Sequence, residues 1–489
     1  MLNRYALVSR HNPVVTEFAP DSPLSVGNGE FVFTADPTGL QTFAADYEAN
    51  MPLCTMAHWG WHTTPPRDGR RIEPQAYRLT EYETYGRLVG YATGRDGQEE
   101  EYHWLRQNPH RLHLGRIGLA ISRPEGAPAT RFDLAAVRQT LDLWRGMLES
   151  RFTVDGELVH VRTCCHPTRD LLGVFINSPL FLQERLAVSF AFPYGSPEKT
   201  AAAWGEEDRH RTEIISAGGH KVTLLRVVDA TTYFVTLAFS GAQVKRQGKH
   251  CLLLTAQPGR EQIEFTVEFT PSQPRVPLPT FTETAVAAAT SWESFWSNGG
   301  LVELARSRDP RALELERRVV LSQYLTAIQC GGSLPPAETG LTCNSWYGKF
   351  HLEMHWWHAV HFAYWNRIDF LERSLWWYQL ILPQAQKLAQ SQGYTGARWP
   401  KMVGPEGWDS PSPIGPLLIW QQPHPIYYAE LCYRAQPSRQ TLERYRELVF
   451  QTAEFLASYA VYEQTRDRYV LGPPVIPAQE CHRPESTLN

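Results

Sequence analysis

Between residues 345 and 358 the chain reads Ser-Trp-Tyr-Gly-Lys-Phe-His-Leu-Glu-Met-His-Trp-Trp-His, with Lys349, His351 and Glu353 close together beside Trp346 and Trp356. A cation, an imidazole and a carboxylate among aromatics can share out the hydroxyls of one pyranose ring, because every sugar hydroxyl both donates and accepts. The same residues would also serve a capped, salt-bridged helix start. His351, His355 and His358 lie at i, i+4 and i+7 on one helical face, a spacing that could bind a metal. The glutamate, however, is not placed as in H-E-x-x-H, and nothing like P-C-x-x-C follows, so neither a metal nor another cofactor is expected.

Two more stretches carry candidate chemistry. Residues 396–409, Gly-Ala-Arg-Trp-Pro-Lys-Met-Val-Gly-Pro-Glu-Gly-Trp-Asp, form a Gly/Pro-rich loop that presents Arg398, Trp399, Lys401, Glu406 and Asp409. Such loops commonly carry function, although solvated charges are their ordinary content. Residues 472–482, Gly-Pro-Pro-Val-Ile-Pro-Ala-Gln-Glu-Cys-His, set Gln479, Glu480 and His482 after an apolar, proline-stiffened run. Partial desolvation there would raise the Glu480 pKa, as a general acid requires. Nine of the 16 Trp fall between Trp346 and Trp420, a concentration suited to walling a sugar cleft or to packing between helices.

The elements that must position these groups change character along the chain. Up to about residue 270, short apolar runs are broken by Gly, Pro, Asn and Asp. Residues 151–162 read as two alternating strands around Asp155-Gly156, a strong hairpin signal because both residues tolerate positive φ. Residues 222–228, 231–239, 251–255 and 263–269 repeat the pattern, with one helix-sized stretch at 134–143. This predicts a large antiparallel β-sandwich over residues 1–272. A Pro-rich stretch at 271–279 and helix-prone segments at 282–298 and from Asp309-Pro310 to about 329 form the expected linker, 273–335. Helical patterns at 351–365, 369–389 with a kink at Pro383, 425–434 and 438–462 suggest a ring of paired helices over 336–489. A six-pair toroid needs twelve helices, and about six are counted from Asp309 onward, so the expected barrel is partial.

Composition narrows the function classes. A chain of 489 residues exceeds one ordinary core. A formal net charge of -4 gives no footprint for a polyanion, so nucleic acid is not an expected partner. The start has no apolar h-region, and no apolar run reaches membrane-spanning length, which reads as a soluble, cytoplasmic protein with no membrane partner. The 8 Cys are scattered without C-x-x-C pairs, consistent with reduced thiols.

Taken together, these segments resemble the six-hairpin glycosidases, and most closely glycoside hydrolase family 65, the maltose and kojibiose phosphorylases. Residues 26–43, opening Val-Gly-Asn-Gly-Glu, look like the family's G-N-G strand region. Residues 396–400 look like its G-A-x-[YFW]-P loop, and 472–480 stand where it has G-P-D-E-Y, with extra residues between the Gly-Pro and the Glu. Residues 346–353 replace its W-D-x-E sugar clamp. The resemblance implies a β-supersandwich, a helical linker and an (α/α)6 barrel, with inversion at the anomeric carbon. Glu480 would act as general acid, with attack by water or phosphate and the base downstream of residue 489. Trp346, Lys349, His351, Glu353, Trp356, Arg398, Trp399, Lys401, Asp409, Gln479 and His482 would bind the oligosaccharide or glycoside. A homodimer is the candidate assembly. Two alternatives remain open on the residues alone: a sandwich-and-toroid polysaccharide lyase, and a carbohydrate-binding module without catalysis.

Overall fold

Asp155 and Gly156 take the positive φ that their types tolerate, 50° and 83°, and join the antiparallel strands Met147–Val154 and Glu157–Cys165. The computed structural model describes residues 2–66, 68–478 and 480–489. The hairpin belongs to a nine-stranded sheet in which every pairing is antiparallel. Its order is Val14–Val15, Leu134–Asp142, Met147–Val154, Glu157–Cys165, Leu171–Asn177, Gln262–Thr270, Thr231–Ser240, Lys221–Val228, His210–Gly218. A second sheet runs Ala242–Arg246, Cys251–Ala256, Leu186–Ala191, Arg116–Ile121. Alternate residues Leu148, Phe152 and Val154 of the first sheet meet Phe190, Leu252 and Leu254 of the second in one apolar core. This is the period-2 patterning that the sequence displays.

The described helices are α1 (Arg4–Ser9), α2 (Glu99–Gln107), α3 (Phe281–Ser297), α4 (Ala312–Cys330), α5 (Leu352–Tyr364), α6 (Ile368–Glu372), α7 (Leu375–Ser391), α8 (His424–Ala435) and α9 (Arg439–Tyr459). Those at 281–297, 312–330, 352–364, 424–435 and 439–459 follow the sequence expectation to within a few residues, whereas the single helix expected over 369–389 is broken at Arg373–Ser374 into α6 and α7, with Pro383 inside α7. Two further local readings are corrected. Residues 134–142 form a strand, bulged where Ala136 adopts φ 51° and the register shifts between Ala135 and Arg138. Helix α2 arises where no helix was expected, although three acidic residues in its first turn and Arg106 in its last complement the helix dipole.

The chain divides into two compact units. One comprises residues 1–64, 111–330 and 339–345; the other comprises 65–110, 331–338 and 346–489. This differs from the expected boundaries at 272 and 335 because the presumed linker helices α3 and α4 bury side chains in the sandwich. Trp296 donates its indole N–H to the Leu143 carbonyl at 2.7 Å, and the Tyr324 hydroxyl reaches the Ser25 carbonyl at 3.1 Å. A Thr280/Glu283 capping box starts α3. All eight cysteines are free, and no helix among the described residues is long and apolar enough to cross a membrane.

The hairpin provides a direct check. A Cβ added at Gly156 meets nothing within 4 Å, so the cost of Gly156→Ala is the strain of a Cβ-bearing residue held at φ 83°. The expected loss is about 1 kcal/mol of stability, read as a lowered midpoint in thermal unfolding followed by circular dichroism.

Candidate functional site

A two-stranded ladder in the second unit draws the candidate residues together. Phe350 pairs with Val403 and His351 with Met402, while the Leu352 N–H donates to the Lys401 carbonyl at 3.0 Å. The Ser410 N–H donates to the Met402 carbonyl at 3.0 Å, folding the end of the 396–409 loop back on its start. Helix α5 therefore begins against Lys401, and Lys349 lies against Ser410.

Glu353 occupies the second position of α5 and is buried. Its Oε1 lies 3.1 Å from Lys401 Nζ, whereas its Oε2 is shut off from solvent without a hydrogen-bond partner. Burial pushes its carboxyl up to about 7, opposed by Lys401 and by the backbone N–H at the helix start. Lys349 is also buried and donates to the Leu105 carbonyl at 2.9 Å and to Ser410 Oγ at 2.7 Å. Burial, reinforced by Arg106, pulls its ammonium down to about 7, while Asp409 opposes the shift. Asp409 has an Oδ1 closed to solvent and unpartnered, and burial pushes its carboxyl up to about 7 against the pull of Arg398 and Lys349. His351 Nδ1 lies 3.1 Å from the Lys349 carbonyl, so that nitrogen carries the proton; Nε2 lies 3.8 Å from Glu338. Burial holds this imidazole down at about 3, hence neutral.

Beside these groups, Trp346, Tyr347 and Gly348 have φ of 48°, 65° and 69°, three left-handed residues in succession of which only the glycine is suited to that region. Each of the other two costs roughly 1–2 kcal/mol, a strain that tends to collect at functional sites. The turn leaves the Trp346 indole 45% exposed. The Arg106 guanidinium is 5.3 Å and Lys401 Nζ 5.6 Å from its ring centre.

The remaining candidates engage other partners. Trp399 is a core residue whose indole N–H donates to Thr452 Oγ1 at 3.0 Å. Arg398 is buried, bonded to Gln392 Oε1 and the Pro416 carbonyl at 2.8 Å each, so this cation is occupied within the interior. Trp356 is half-buried and stacks on Tyr427 at 4.4 Å. His355 bonds Tyr378 Oη and Ser374 Oγ through its two nitrogens. No cluster of three His, Cys, Asp or Glu among the described residues could hold a metal. Glu406, Glu480 and His482 are exposed, and Gln479 lies outside the described residues. The desolvation expected at Glu480 is therefore missing, because the buried run ends at Val475 and Ile476. Conversely, Arg106, Glu338 and Ser410 belong to the cluster without having been singled out in the sequence.

The cluster thus holds Arg106, Lys349 and Lys401, with Arg398 acting on Asp409 from the interior, and the carboxyl groups of Glu338, Glu353 and Asp409, the last two each with one oxygen unpartnered, beside an exposed indole. An unpaired buried polar atom costs about 1–3 kcal/mol, and these two oxygens are acceptors that the protein's own donors leave unused. Trp346→Gly is expected to leave stability unchanged to within about 1 kcal/mol, since relieved φ strain offsets the lost ring contacts. Trp399→Ala is expected to cost about 3–5 kcal/mol. Urea unfolding of the two variants separates these outcomes.

No protein-family model and no curated protein matches the sequence. Among solved structures, the chain is similar to one assigned as a kojibiose phosphorylase from human microbiome, with a TM-score of 0.60 at 11% identity, over 96% of this chain and 62% of that one. It thus spans about three-fifths of the length of that structure. Fainter likenesses are to a bacterial glucoamylase complexed with acarbose (TM-score 0.47, 9% identity, 91% of this chain and 60% of that one). A family GH92 α-mannosidase from Bacteroides thetaiotaomicron with mannoimidazole gives a TM-score of 0.30 at 10% identity, over 66% of this chain and 40% of that one. The first likeness shows the fold alone: antiparallel β-sheets followed by helices, laid out as in that structure over 96% of this chain.

Proposed function

We propose that this chain acts on a glycoside, holding one sugar ring at the Trp346–Glu353–Lys401 cluster and cleaving the adjoining glycosidic bond with inversion. The observation that carries the reading is the pair of shielded, unpartnered carboxyl oxygens, Glu353 Oε2 and Asp409 Oδ1, beside an exposed indole held in a strained turn. Sugar hydroxyls supply the missing donors, and the indole face suits the C–H face of the ring. On this reading α5 to α9 belong to an (α/α)6 barrel, and Lys349, His351 and Asp409 complete the ring's polar contacts. Arg398 acts electrostatically on Asp409 from the interior.

Glu480 remains the proposed general acid on the strength of its place after Gly472-Pro-Pro, as in the family it resembles. Its exposure means that a glycoside seated over it, rather than the protein alone, has to supply the desolvation that a proton donor needs. Water or phosphate attacks from the opposite face. Phosphate as second reactant and a homodimer as assembly belong to the same proposal. The exposed Glu480 favours one second reading, a carbohydrate-binding module without turnover.

The test is a panel of α-linked disaccharides, kojibiose included, incubated with and without phosphate. The wild type is expected to release sugar, and Glu480→Gln to slow release by about 10²–10⁴-fold. Equal rates for the two would remove Glu480 as the acid, and binding without release would support the module.

A further inference from the structure

Resting on the proposed sugar site, we infer that Lys401 is its positioning residue. It fixes one oxygen of Glu353 and packs against the Trp346 indole, so that the free oxygen accepts from a ring hydroxyl of an uncharged sugar and binding of that sugar is proton-linked.

Three observations support this. Lys401 joins the two halves of the cluster, lying 3.1 Å from Glu353 Oε1 and 5.6 Å from the Trp346 ring centre. Holding Oε1 leaves Oε2 as the acceptor, already shielded from water and without a partner, so its orientation is set before a ligand arrives. Finally, each cation of the cluster already has a partner among the described residues, while two carboxyl oxygens do not. Lys401 is taken by Glu353, and Lys349 by Leu105, Ser410 and the nearby Asp409. Arg106 donates to the Pro411 carbonyl at 3.0 Å and lies over the Trp346 ring. A uronate or sugar phosphate would bring further acceptors against two carboxyl oxygens that already lack donors, whereas hydroxyls supply those donors.

The proton linkage follows from the surroundings of Glu353. Lys401 from the 396–409 loop, Glu338 from the preceding segment, Tyr378 from α7 and Tyr428 from α8 are the charged and titratable groups that face it. Both tyrosines are held well above their usual range by burial and stay neutral. With Glu353 lifted to about 7, part of the population is protonated at neutral pH. A hydroxyl donating to Oε2 favours the carboxylate, so binding releases a proton and weakens as pH falls through about 7. Removing Lys401 withdraws the charge that favours the carboxylate.

The experiment follows the Glu353 carboxyl by ¹³C NMR in glutamate-labelled chain, assigned by its loss in Glu353→Gln, and measures kojibiose affinity and proton release by calorimetry in two buffers. In Lys401→Met the titration midpoint and the binding pH profile are expected to move up together by about one to three pH units, while Lys401→Arg stays near the wild type. If Lys401→Met does not fold, wild-type proton release and its absence in Glu353→Gln decide the matter. Binding with a flat pH profile or an unmoved midpoint overturns this inference alone. No binding of any sugar in the panel at any pH overturns the proposed function and this inference with it.

Discussion

Everything at the site depends on the short ladder that sets Phe350 opposite Val403 and His351 opposite Met402. Successive residues of a strand point to opposite sides, so a slip of one residue would turn Lys349 and His351 to the wrong face and carry the start of α5 away from Lys401. Two backbone bonds hold the register from outside the ladder: His351 N–H to the Pro336 carbonyl at 3.2 Å, and Leu352 N–H to the Lys401 carbonyl at 3.0 Å. A helix, a Pro-rich segment and a Gly/Pro-rich loop thereby contribute to one cluster, although their residues are spread from 336 to 410.

That register forces ionisable groups into an interior that resists their charges. Glu353 and Asp409 are lifted to about 7 and Lys349 is lowered to about 7. For the two carboxyl groups, the unfolded chain ionises near 4 while the folded chain holds its protons, so their contribution to stability is lost as pH rises toward 7. For Lys349 the unfolded chain keeps its proton to about 10.5, so its penalty is full below 7 and fades only at alkaline pH. All three oppose folding most strongly near neutrality. Together with the left-handed Trp346 and Tyr347, the second unit carries strain that ordinary packing does not require, as expected where a site is organised for a ligand.

How much of this was legible in the sequence depends on how local the signal is. The Asp155-Gly156 hairpin and the helices after residue 280 were readable because turn chemistry and period act over a few neighbours. Lys349, His351, Glu353, Lys401 and Asp409 stood out because they fall within two compact motifs. Arg106, on a helix some 240 residues before Lys349, could not be found this way, since only the three-dimensional chain path brings it to Trp346. Composition also misplaces aromatics and charges that face inward. Trp399 and Arg398 sit in the same loop as Lys401, yet their side chains are consumed by Thr452, Gln392 and Pro416. At Glu480 the reverse happened: an apolar run suggested shelter, but the shelter stops four residues earlier.

The central claim is that one sugar ring sits between an indole and a carboxyl oxygen that nothing in the protein engages. A crystal structure of the chain soaked with kojibiose tests it most directly. The account predicts density for a pyranose ring lying on the Trp346 face, with a hydroxyl within hydrogen-bond distance of Glu353 Oε2. A ring bound away from Trp346, with that oxygen still unpartnered at full ligand occupancy, would contradict it.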